Sequence, residues 1–307
     1  MRLVFAGTPD VALPSLDALA ASRHDVVAVV TRPDARRGRG GTLSPSPVAA
    51  RAAELGIPVL KPARPRDEDF HAALRALAPD CCPVVAYGAL LPQSLLDIPA
   101  HGWVNLHFSL LPAYRGAAPV QSAILHGETQ TGAVTFRIVE ELDAGPVCGT
   151  LRTPIGAHET AGDLLGRLAE SGATLLTETM DRIEDGTATF TDQAPEGGTY
   201  ASKLEVEDAH VDWSAPVDEI DRRIRACTPA PGAWTTLGGQ RFRLLEVAPS
   251  ERPSTDPGLV ERDRRSVHVH TGSGQLQLLR VQPAGKKAMA AIDWARGLHT
   301  DEIRFDR

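Results

Sequence analysis

The feature that most constrains the fold is a regular alternation of short apolar runs with helical patterns in the first half of the chain. The runs are strand-length and apolar throughout, and they lie at Leu3–Ala6, Val26–Val30, Val59–Leu60, Val84–Tyr87 and Val104–Leu106. Helical patterns over 10–21, 47–55 and 67–77 separate the first four of them. Continuous apolar strands joined by helices are typical of a parallel sheet that is covered on both faces. We therefore predict an α/β fold for this half.

The pattern changes after residue 133. Two β-like runs over 134–138 and 147–151 flank the turn Asp143-Ala144-Gly145-Pro146, and a long helix is predicted over 163–183. The stretch 187–200 is poor in apolar residues and rich in turn formers, which indicates the start of a linker. Beyond a helix at 216–226, several short strands separated by turns are typical of a small barrel. For 307 residues we predict a first domain over 1–189, a linker over 190–206 and a barrel over 207–307.

Composition excludes several classes of protein. Apolar residues make up 42% of the chain, which excludes a disordered or collagen-like protein. The four cysteines lack zinc-type spacing and are too few for a disulfide scaffold, so we expect a reduced, cytosolic setting. No apolar run approaches membrane-spanning length, and we expect no membrane association. The net charge of −7 does not indicate nucleic acid, although residues 32–41 carry four arginines against one aspartate.

The strand Trp103–His107 offers the clearest chemistry. Side chains two residues apart on a strand share a face, so Asn105 and His107 point to the same side. They lie where the strand ends, and ligands of open α/β sheets bind beyond the carboxyl ends of strands. A histidine there can transfer protons near neutral pH, and an amide NH2 can donate to an oxygen that gains negative charge. This pair is therefore a candidate catalytic site.

Two further segments are candidates for the same site. Asp143 provides a carboxylate that could orient His107 or accept a proton, and the apolar loop 109–112 leaves backbone groups free to contact a flat heterocycle. Each feature also has a structural explanation. His107 could be a hydrogen-bonded core histidine, Asp143 a turn former, and the loop an ordinary buried loop. Spacing alone leaves these alternatives open.

Nucleotide and metal sites have weaker support. Gly7-Thr8-Pro9 departs from the G-x-G-x-x-G motif, and the second strand ends at Arg32 with no acidic residue for a ribose. NAD binding is therefore disfavoured, and Arg32 alone keeps an NADP-dependent oxidoreductase as an alternative. The glycine- and arginine-rich loop 32–41 suits either a phosphate-backbone contact or a solvated loop. We expect no metal site, because His268 and His270 alternate on a strand without a suitably spaced third ligand.

Several motifs together resemble the methionyl-tRNA formyltransferase branch of the 10-formyltetrahydrofolate-dependent formyltransferase family, over nearly the full chain. In the first half the motifs are Phe5-Ala6-Gly7-Thr8-Pro9-Asp10, Ala86-Tyr87-Gly88, Asn105-Leu106-His107 with the following Ser109-Leu110-Leu111-Pro112, and Tyr114-Arg115-Gly116. Later motifs are Leu142-Asp143-Ala144-Gly145, Asp212-Trp213-Ser214 and Gln282-Pro283-Ala284-Gly285-Lys286-Lys287. The resemblance implies a Rossmann-like catalytic domain followed by a small OB-like β-barrel that binds tRNA.

The resemblance also implies the reaction and the residues that perform it. The implied reaction transfers the formyl group of 10-formyltetrahydrofolate, a co-substrate, to the methionine amino group of initiator methionyl-tRNA, without a metal. Asn105, His107 and Asp143 match the catalytic set. Folate contacts are implied for the positions Ser109, Leu110, Leu111, Pro112, Tyr87 and Gly88. Contacts to tRNA are implied for Arg36, Arg37, Arg39, Lys286 and Lys287.

Other functions remain as alternatives. The same chemistry could act on a sugar-nucleotide or purine-precursor amine, although such small substrates need neither the barrel nor the basic loop. A non-enzymatic RNA-binding protein is the other alternative, and the intact Asn105, His107 and Asp143 argue against it. We expect a monomer. Pro83 lies in a predicted central strand, which is unfavourable for proline, so we expect that strand to begin only at Val84.

Overall fold

The structure, a computed structural model, describes residues 1–37, 41–298 and 302–306, with the side chain of Arg37 left out. The helices of the described residues are α1 (Leu13–Ala20), α2 (Pro47–Glu54), α3 (Glu68–Leu77), α4 (Gln93–Leu96), α5 (Pro119–Leu125), α6 (Ala161–Glu184), α7 (Val217–Ala226) and α8 (Ala291–Arg296). The first strands are β1 (Arg2–Gly7), β2 (Asp25–Val30), β3 (Ala35–Arg37), β4 (Thr42–Ser44), β5 (Val59–Leu60), β6 (Cys82–Val85), β7 (Trp103–His107), β8 (Arg115–Gly116), β9 (Gln130–Arg137) and β10 (Val147–Pro154). The remaining strands are β11 (Tyr200–Ala201), β12 (Trp234–Leu237), β13 (Gln240–Ser250), β14 (Leu259–Arg262), β15 (Val267–His270), β16 (Gln275–Gln282), β17 (Met289–Ala290) and β18 (Ile303–Arg304).

The chain divides by contacts into two compact units. The first contains residues 1–116, 130–154 and 165–200, and the second contains 117–129, 155–164 and 201–307. The segment 190–200, which begins the predicted linker, therefore groups with the first unit. The domain bounds 1–189, 190–206 and 207–307 stay a prediction.

The first unit is built on a seven-stranded sheet in the order β10-β9-β7-β6-β1-β2-β5. The five strands from β7 to β5 pair in parallel. β9 pairs antiparallel with β7, and β10 pairs antiparallel with β9. The mixed sheet and its helices confirm the predicted Rossmann-like α/β fold. Parallel strands bring their carboxyl ends to one edge, which is where β7 ends at His107.

The alternation of β7 separates a packed face from a chemical face. Val104 and Leu106 are buried, and the Leu106 side chain lies against α6 at Gly172. A Cβ at Gly172 would lie 2.9 Å from Leu106 Cδ2, so glycine allows the helix to approach the strand closely. With Leu106 held by α6, Asn105 and His107 point to the opposite side of the sheet. Packing therefore fixes the side to which the polar pair points.

The strand β6 begins earlier than predicted. It starts at Cys82 and includes Pro83, which pairs with Val104 in the parallel ladder. The Cys82 N–H donates to the Gly102 carbonyl (3.1 Å), and the Cys81 carbonyl accepts from the Val4 N–H (3.3 Å). Hydrogen bonds to both neighbouring strands are thus made before the proline is reached. The expected start at Val84 was wrong because neighbouring residues supply the donor that Pro83 lacks.

The second unit contains an antiparallel sheet in the order β12-β13-β16-β15-β14-β18, and β17 also pairs with β16. The two edges of this sheet come together, because the Asp306 N–H donates to the Thr236 carbonyl of β12 (2.9 Å) just after β18 ends. A nearly closed sheet removes exposed strand edges. A core that includes Trp213, Phe242 and Phe305 fills its interior. The predicted small barrel is confirmed.

Among the described residues, no helix combines the length and the apolar composition that crossing a membrane requires. The predicted cytosolic setting and monomeric state stay predictions.

Candidate active site

His107 is held by the main chain of the loop that follows β7. Its Nε2 lies 2.8 Å from the carbonyl oxygen of Tyr114. A carbonyl can only accept a hydrogen bond, so Nε2 carries the proton and Nδ1 carries the lone pair in the neutral ring. The side chain is buried, with 6% of its surface exposed, and the ring packs edge-on against Phe136. The free nitrogen, Nδ1, is therefore available as a base.

Asp143 lies opposite that free nitrogen. Its Oδ2 is 3.8 Å from His107 Nδ1, within ion-pair distance and longer than a hydrogen bond. The same oxygen accepts a hydrogen bond from the Gly116 N–H at 2.8 Å. The short segment 114–116 thus contacts both members of the pair, with the Tyr114 carbonyl on His107 and the Gly116 amide on Asp143. This main-chain segment sets the relative positions of the imidazole and the carboxylate.

The surroundings keep His107 neutral. Burial lowers the pKa of His107 below its ordinary value, and the Asp143 carboxylate and the Tyr114 carbonyl oppose that shift more weakly. The imidazole therefore stays unprotonated at neutral pH and can accept a proton at Nδ1. Once protonated, it would face a carboxylate 3.8 Å away, which stabilises the charged form.

Asn105 is partly exposed on the same face of β7 as His107. Within the described part of the chain, its side-chain amide makes no hydrogen bond. An amide NH2 without a protein partner can donate to a ligand oxygen at no cost to the fold. The structure therefore places the predicted pair side by side at the strand end and leaves Asn105 available.

The loop after His107 is tightly folded. Ser109 is fully buried, and its hydroxyl donates to the Ala113 carbonyl (2.6 Å). The Ala113 N–H donates to the Leu110 carbonyl (3.2 Å), so residues 110–113 form a turn around the cis bond between Leu111 and Pro112. Leu110, Leu111 and Pro112 are each partly exposed. The apolar loop predicted for the heterocycle therefore presents part of its surface beside the end of β7.

Tyr87 and Gly88 follow β6. Tyr87 is almost fully buried in the core, and burial raises the pKa of its hydroxyl. Its carbonyl accepts a hydrogen bond from the Thr8 hydroxyl (2.8 Å). Gly88 is exposed and has φ +80°, a conformation that favours glycine. Gly88, unlike the Tyr87 ring, is thus accessible to a ligand.

The predicted basic residues divide between the two units. Arg36 is exposed on the hairpin formed by β3 and β4, and its Nη1 donates to the Gly41 carbonyl (3.3 Å). Arg37 lies in β3, and Arg39 lies outside the described residues. Lys286 and Lys287 are both exposed on the turn between β16 and β17 of the second unit.

Sequence reasoning missed one polar side chain at this site. Gln193 donates from Nε2 to the carbonyl oxygens of Asp143 (2.7 Å) and Gly145 (2.9 Å). Its Oε1 accepts from Nε and Nη2 of Arg115, which lies in the quoted motif without an assigned role. No local pattern indicates Gln193, because its partners are main-chain carbonyls about fifty residues earlier and its own segment has the composition of a linker.

One group of side chains has metal-ligand composition. His24, Asp181 and Glu184 place one ligand atom each within 4.8 Å of one another. Arg23 already pairs with Asp181 (2.6 Å) and Glu184 (3.0 Å), and the Met1 amine also bonds Glu184. The Arg23 guanidinium and the Met1 amine already pair with the carboxylates that a metal would need as ligands, so the group is a network of ion pairs. The expectation of no metal cofactor stays a prediction.

Comparison with known families agrees with this geometry. Residues 1–180 match the model of the formyl transferase family, and residues 203–299 match the model of the formyl transferase C-terminal domain. The chain belongs to the formyl transferase family. The match supports the predicted α/β first half and the barrel of the second half. The catalytic roles of Asn105, His107 and Asp143 stay predictions.

Individual relatives indicate which members of the formyl transferase family this chain resembles. A protein of Nocardioides sp. named methionyl-tRNA formyltransferase is 61% identical over 97% of this chain and 95% of its own length. A protein of Thermobifida fusca with the same name is 62% identical over 97% of this chain and 96% of its own. The solved structure of WlaRD, a sugar 3N-formyl transferase, covers 94% of this chain and 99% of its own, with a TM-score of 0.68 and 16% identity. The predicted resemblance to methionyl-tRNA formyltransferases is confirmed, and the likeness to WlaRD shows the fold.

Proposed function

We propose that the chain transfers the formyl group of 10-formyltetrahydrofolate to the α-amino group of methionyl initiator tRNA. The observation that carries the proposal is the free Nδ1 of His107, which faces Asp143 at 3.8 Å and shares a strand face with Asn105. A base, a carboxylate and an unpaired amide are the groups that acyl transfer between two nitrogens requires. The 61% identity to a protein named methionyl-tRNA formyltransferase supports the tRNA substrate.

The reaction forms one bond and breaks another at the formyl carbon. The amine nitrogen attacks this carbon, and the carbonyl electrons move to oxygen as a tetrahedral intermediate forms. The oxyanion then restores the carbonyl, and the bond from carbon to N10 of the folate breaks. The amine loses one proton and N10 gains one, so a single group that accepts and returns a proton balances the transfer.

His107 is the group that moves the proton. Its Nε2 proton is committed to the Tyr114 carbonyl, so Nδ1 accepts the proton from the attacking amine and returns it to N10. The imidazolium that forms between these steps faces the Asp143 carboxylate. Because the Tyr114 carbonyl selects the tautomer, Asp143 acts by stabilising this charge.

Asn105 supports the oxygen that becomes negative. Its amide lies on the same strand face as His107 and donates to the formyl oxygen as charge develops there. Loss of one such donor typically costs about 3 kcal/mol in the transition state. The partly exposed loop of Leu110, Leu111 and Pro112, together with Gly88, offers apolar surface and backbone groups to the folate.

The tRNA contacts are assigned to the basic residues. Arg36 and Arg37 of the first unit would contact phosphates, as would Lys286 and Lys287 on the turn of the second unit. The same role is proposed for Arg39, which lies outside the described residues. Local positive charge is required because the whole chain carries −7.

The direct test is formyl transfer from 10-formyltetrahydrofolate to methionylated initiator tRNA. Methionylated elongator tRNA and a panel of amino sugar nucleotides and purine-precursor amines are assayed beside it. We expect transfer to initiator tRNA to exceed transfer to every small amine by orders of magnitude in kcat/KM. Efficient transfer to a small amine with none to tRNA would replace the proposed substrate.

The tRNA assignment has its own test in the double substitution Lys286→Ala, Lys287→Ala. Losing two phosphate contacts should reduce the slope of log Kd for tRNA against log salt by about 1.5 to 2, with folate affinity unchanged. The double substitution Arg264→Ala, Arg265→Ala is the matched control, because it removes two cations from another turn of the same sheet. Equal slopes for the two double variants would contradict the assignment.

A further inference from the structure

The turn that carries Asp143 has an unusual conformation that needs support. Asp143 has φ +51°, in the left-handed region, and Gly145 packs so closely that a Cβ there would lie 1.7 Å from the Arg137 carbonyl. Such a conformation persists only where surrounding contacts hold it. The hydrogen bond from Gly116 reaches the Asp143 carboxylate, and the main chain of the turn requires support of its own.

Gln193 supplies this support. One NH2 group donates to two carbonyls of the turn, those of Asp143 and Gly145, at 2.7 and 2.9 Å. The neighbours of the Gln193 amide fix its orientation. The two carbonyls can only accept hydrogen bonds, so they face the NH2 group, and the Arg115 guanidinium can only donate, so it faces the amide oxygen. Arg115 reaches Oε1 with Nη2 at 2.8 Å and Nε at 3.2 Å. All four contacts agree on one orientation.

The segment around Gln193 is itself fixed to the sheet. Thr191 and Val147 exchange two main-chain hydrogen bonds of 2.8 and 2.9 Å at the start of β10. The Arg137 guanidinium lies over the Phe190 ring, 4.1 Å from its centroid. Gln193 is therefore presented from an anchored strand-like segment of the first unit, although the sequence around it is typical of a linker.

We infer that Gln193 is a positioning residue for formyl transfer, which holds the turn 143–145 so that the Asp143 carboxylate faces Nδ1 of His107. The inference rests on the proposed function. The Arg115–Gly116 pair then acts twice on Asp143: the Gly116 amide binds the carboxylate, and the Arg115 side chain holds Gln193, which binds the main chain. Among the described residues, the hydrogen bonds of the Gln193 side chain go to Arg115, Asp143 and Gly145, and none goes to Asn105 or His107.

The test uses Gln193→Met, which keeps the length of the side chain and removes its donors and acceptor, and Gln193→Ala as a second variant. Asp192→Asn is the matched control, because its side chain is exposed in the same segment. We expect kcat for formyl transfer to fall about 10- to 100-fold in both Gln193 variants, with KM for the folate within about twofold. The control should keep the wild-type kcat.

A second measurement separates positioning from general damage. Among the described residues, Asp143 is the charged group that pairs with His107, which also contacts the Tyr114 carbonyl and the Phe136 ring. The carboxylate raises the pKa of His107, so its displacement should lower that pKa further in the Gln193 variants. Titration of His107 by NMR in the full chain measures this shift without substrate, and thermal unfolding reports any loss of folding.

The outcomes distinguish the two proposals. An inactive wild-type chain would overturn the proposed function, and the NMR titration would still decide whether Gln193 controls the pair. Wild-type kcat together with a wild-type His107 titration in folded Gln193→Met would overturn the positioning role. If Gln193→Met does not fold, the same two measurements on Gln193→Ala decide, and failure of both variants to fold would assign Gln193 to stability instead.

Discussion

Two strands of this protein carry nearly the same pattern and have opposite roles. β7 ends in Val104-Asn105-Leu106-His107, and β15 is Val267-His268-Val269-His270. Each alternates apolar with polar side chains, and each ends in a buried histidine. The local patterns of the two strands are therefore alike, although only His107 was predicted to take part in catalysis and His270 was considered only as a metal ligand.

The two histidines, His107 and His270, differ in their hydrogen bonds. In β15, Nδ1 of His270 accepts from the Thr255 N–H (2.9 Å), and Nε2 lies 3.0 Å from Glu261 and 3.1 Å from Gln275. In β7, His107 forms a hydrogen bond to the described residues through Nε2 alone, and its Nδ1 faces Asp143 across 3.8 Å. Both nitrogens of one ring are committed to the fold, whereas one nitrogen of the other is available. A buried histidine can therefore act as a base when its neighbours leave one ring nitrogen without a hydrogen bond.

The strongest test of this contrast is His107→Ala. Removing the proton acceptor should lower kcat by about 1000-fold, as expected when a general base is lost. Formyl transfer under single-turnover conditions measures the chemical step. A kcat near the wild-type value in this variant would show that His107, like His270, takes no part in proton transfer.

Asn105→Ala tests the other polar residue of β7. Loss of a donor to the developing oxyanion should lower kcat by about 100-fold or more. Because the Asn105 side chain makes no hydrogen bond to the described residues, the free energy of unfolding should change by less than about 0.5 kcal/mol. Kinetics and chemical denaturation of the same preparation measure the two effects. A large loss of stability with little change in kcat would give Asn105 the role that we assign to His270.

Asp143→Asn tests whether the carboxylate stabilises the protonated form of His107. Without the carboxylate, the protonated His107 loses its partner, and kcat should fall on the order of 10- to 100-fold. The carboxylate raises the pKa of His107, so its removal lowers that pKa and moves the acidic limb of kcat/KM to lower pH. The pH profile of the variant against wild type checks the direction. A limb that moves to higher pH would contradict the assigned pairing.

His270→Ala should affect stability alone. The substitution removes the ring nitrogen that accepts a hydrogen bond from the Thr255 N–H. It also removes the hydrogen-bond partner of Glu261, and the bond to His270 holds the pKa of the Glu261 carboxyl below its ordinary value. We expect the free energy of unfolding to fall by about 1 to 3 kcal/mol, with kcat per folded molecule unchanged. Denaturant titration and steady-state kinetics provide the two numbers. A selective loss of kcat would show that β15 takes part in catalysis.

Much of the fold could be predicted from the sequence because its signals are local. Alternating apolar runs placed five strands of the main sheet, and Pro47 correctly marked the first turn of α2, where the Ser46 hydroxyl accepts from the Ala49 N–H. Elements without a local signal were missed, including α5, β14 and α8. These elements are short, and tertiary contacts decide whether such segments become regular.

The sequence alone was enough to predict the order of the main strands and helices, the shared face of Asn105 and His107, and the family resemblance. All of these depend on periodicity and on motifs close together in the chain. The tertiary structure alone decided which nitrogen of His107 is free, that Asp143 faces it from 36 residues away, and that Gln193 supports the turn from a further 50. Such contacts join residues far apart in sequence through one ion pair, a few hydrogen bonds and specific backbone conformations. Their geometry follows from the packing of the whole sheet, which no local pattern encodes.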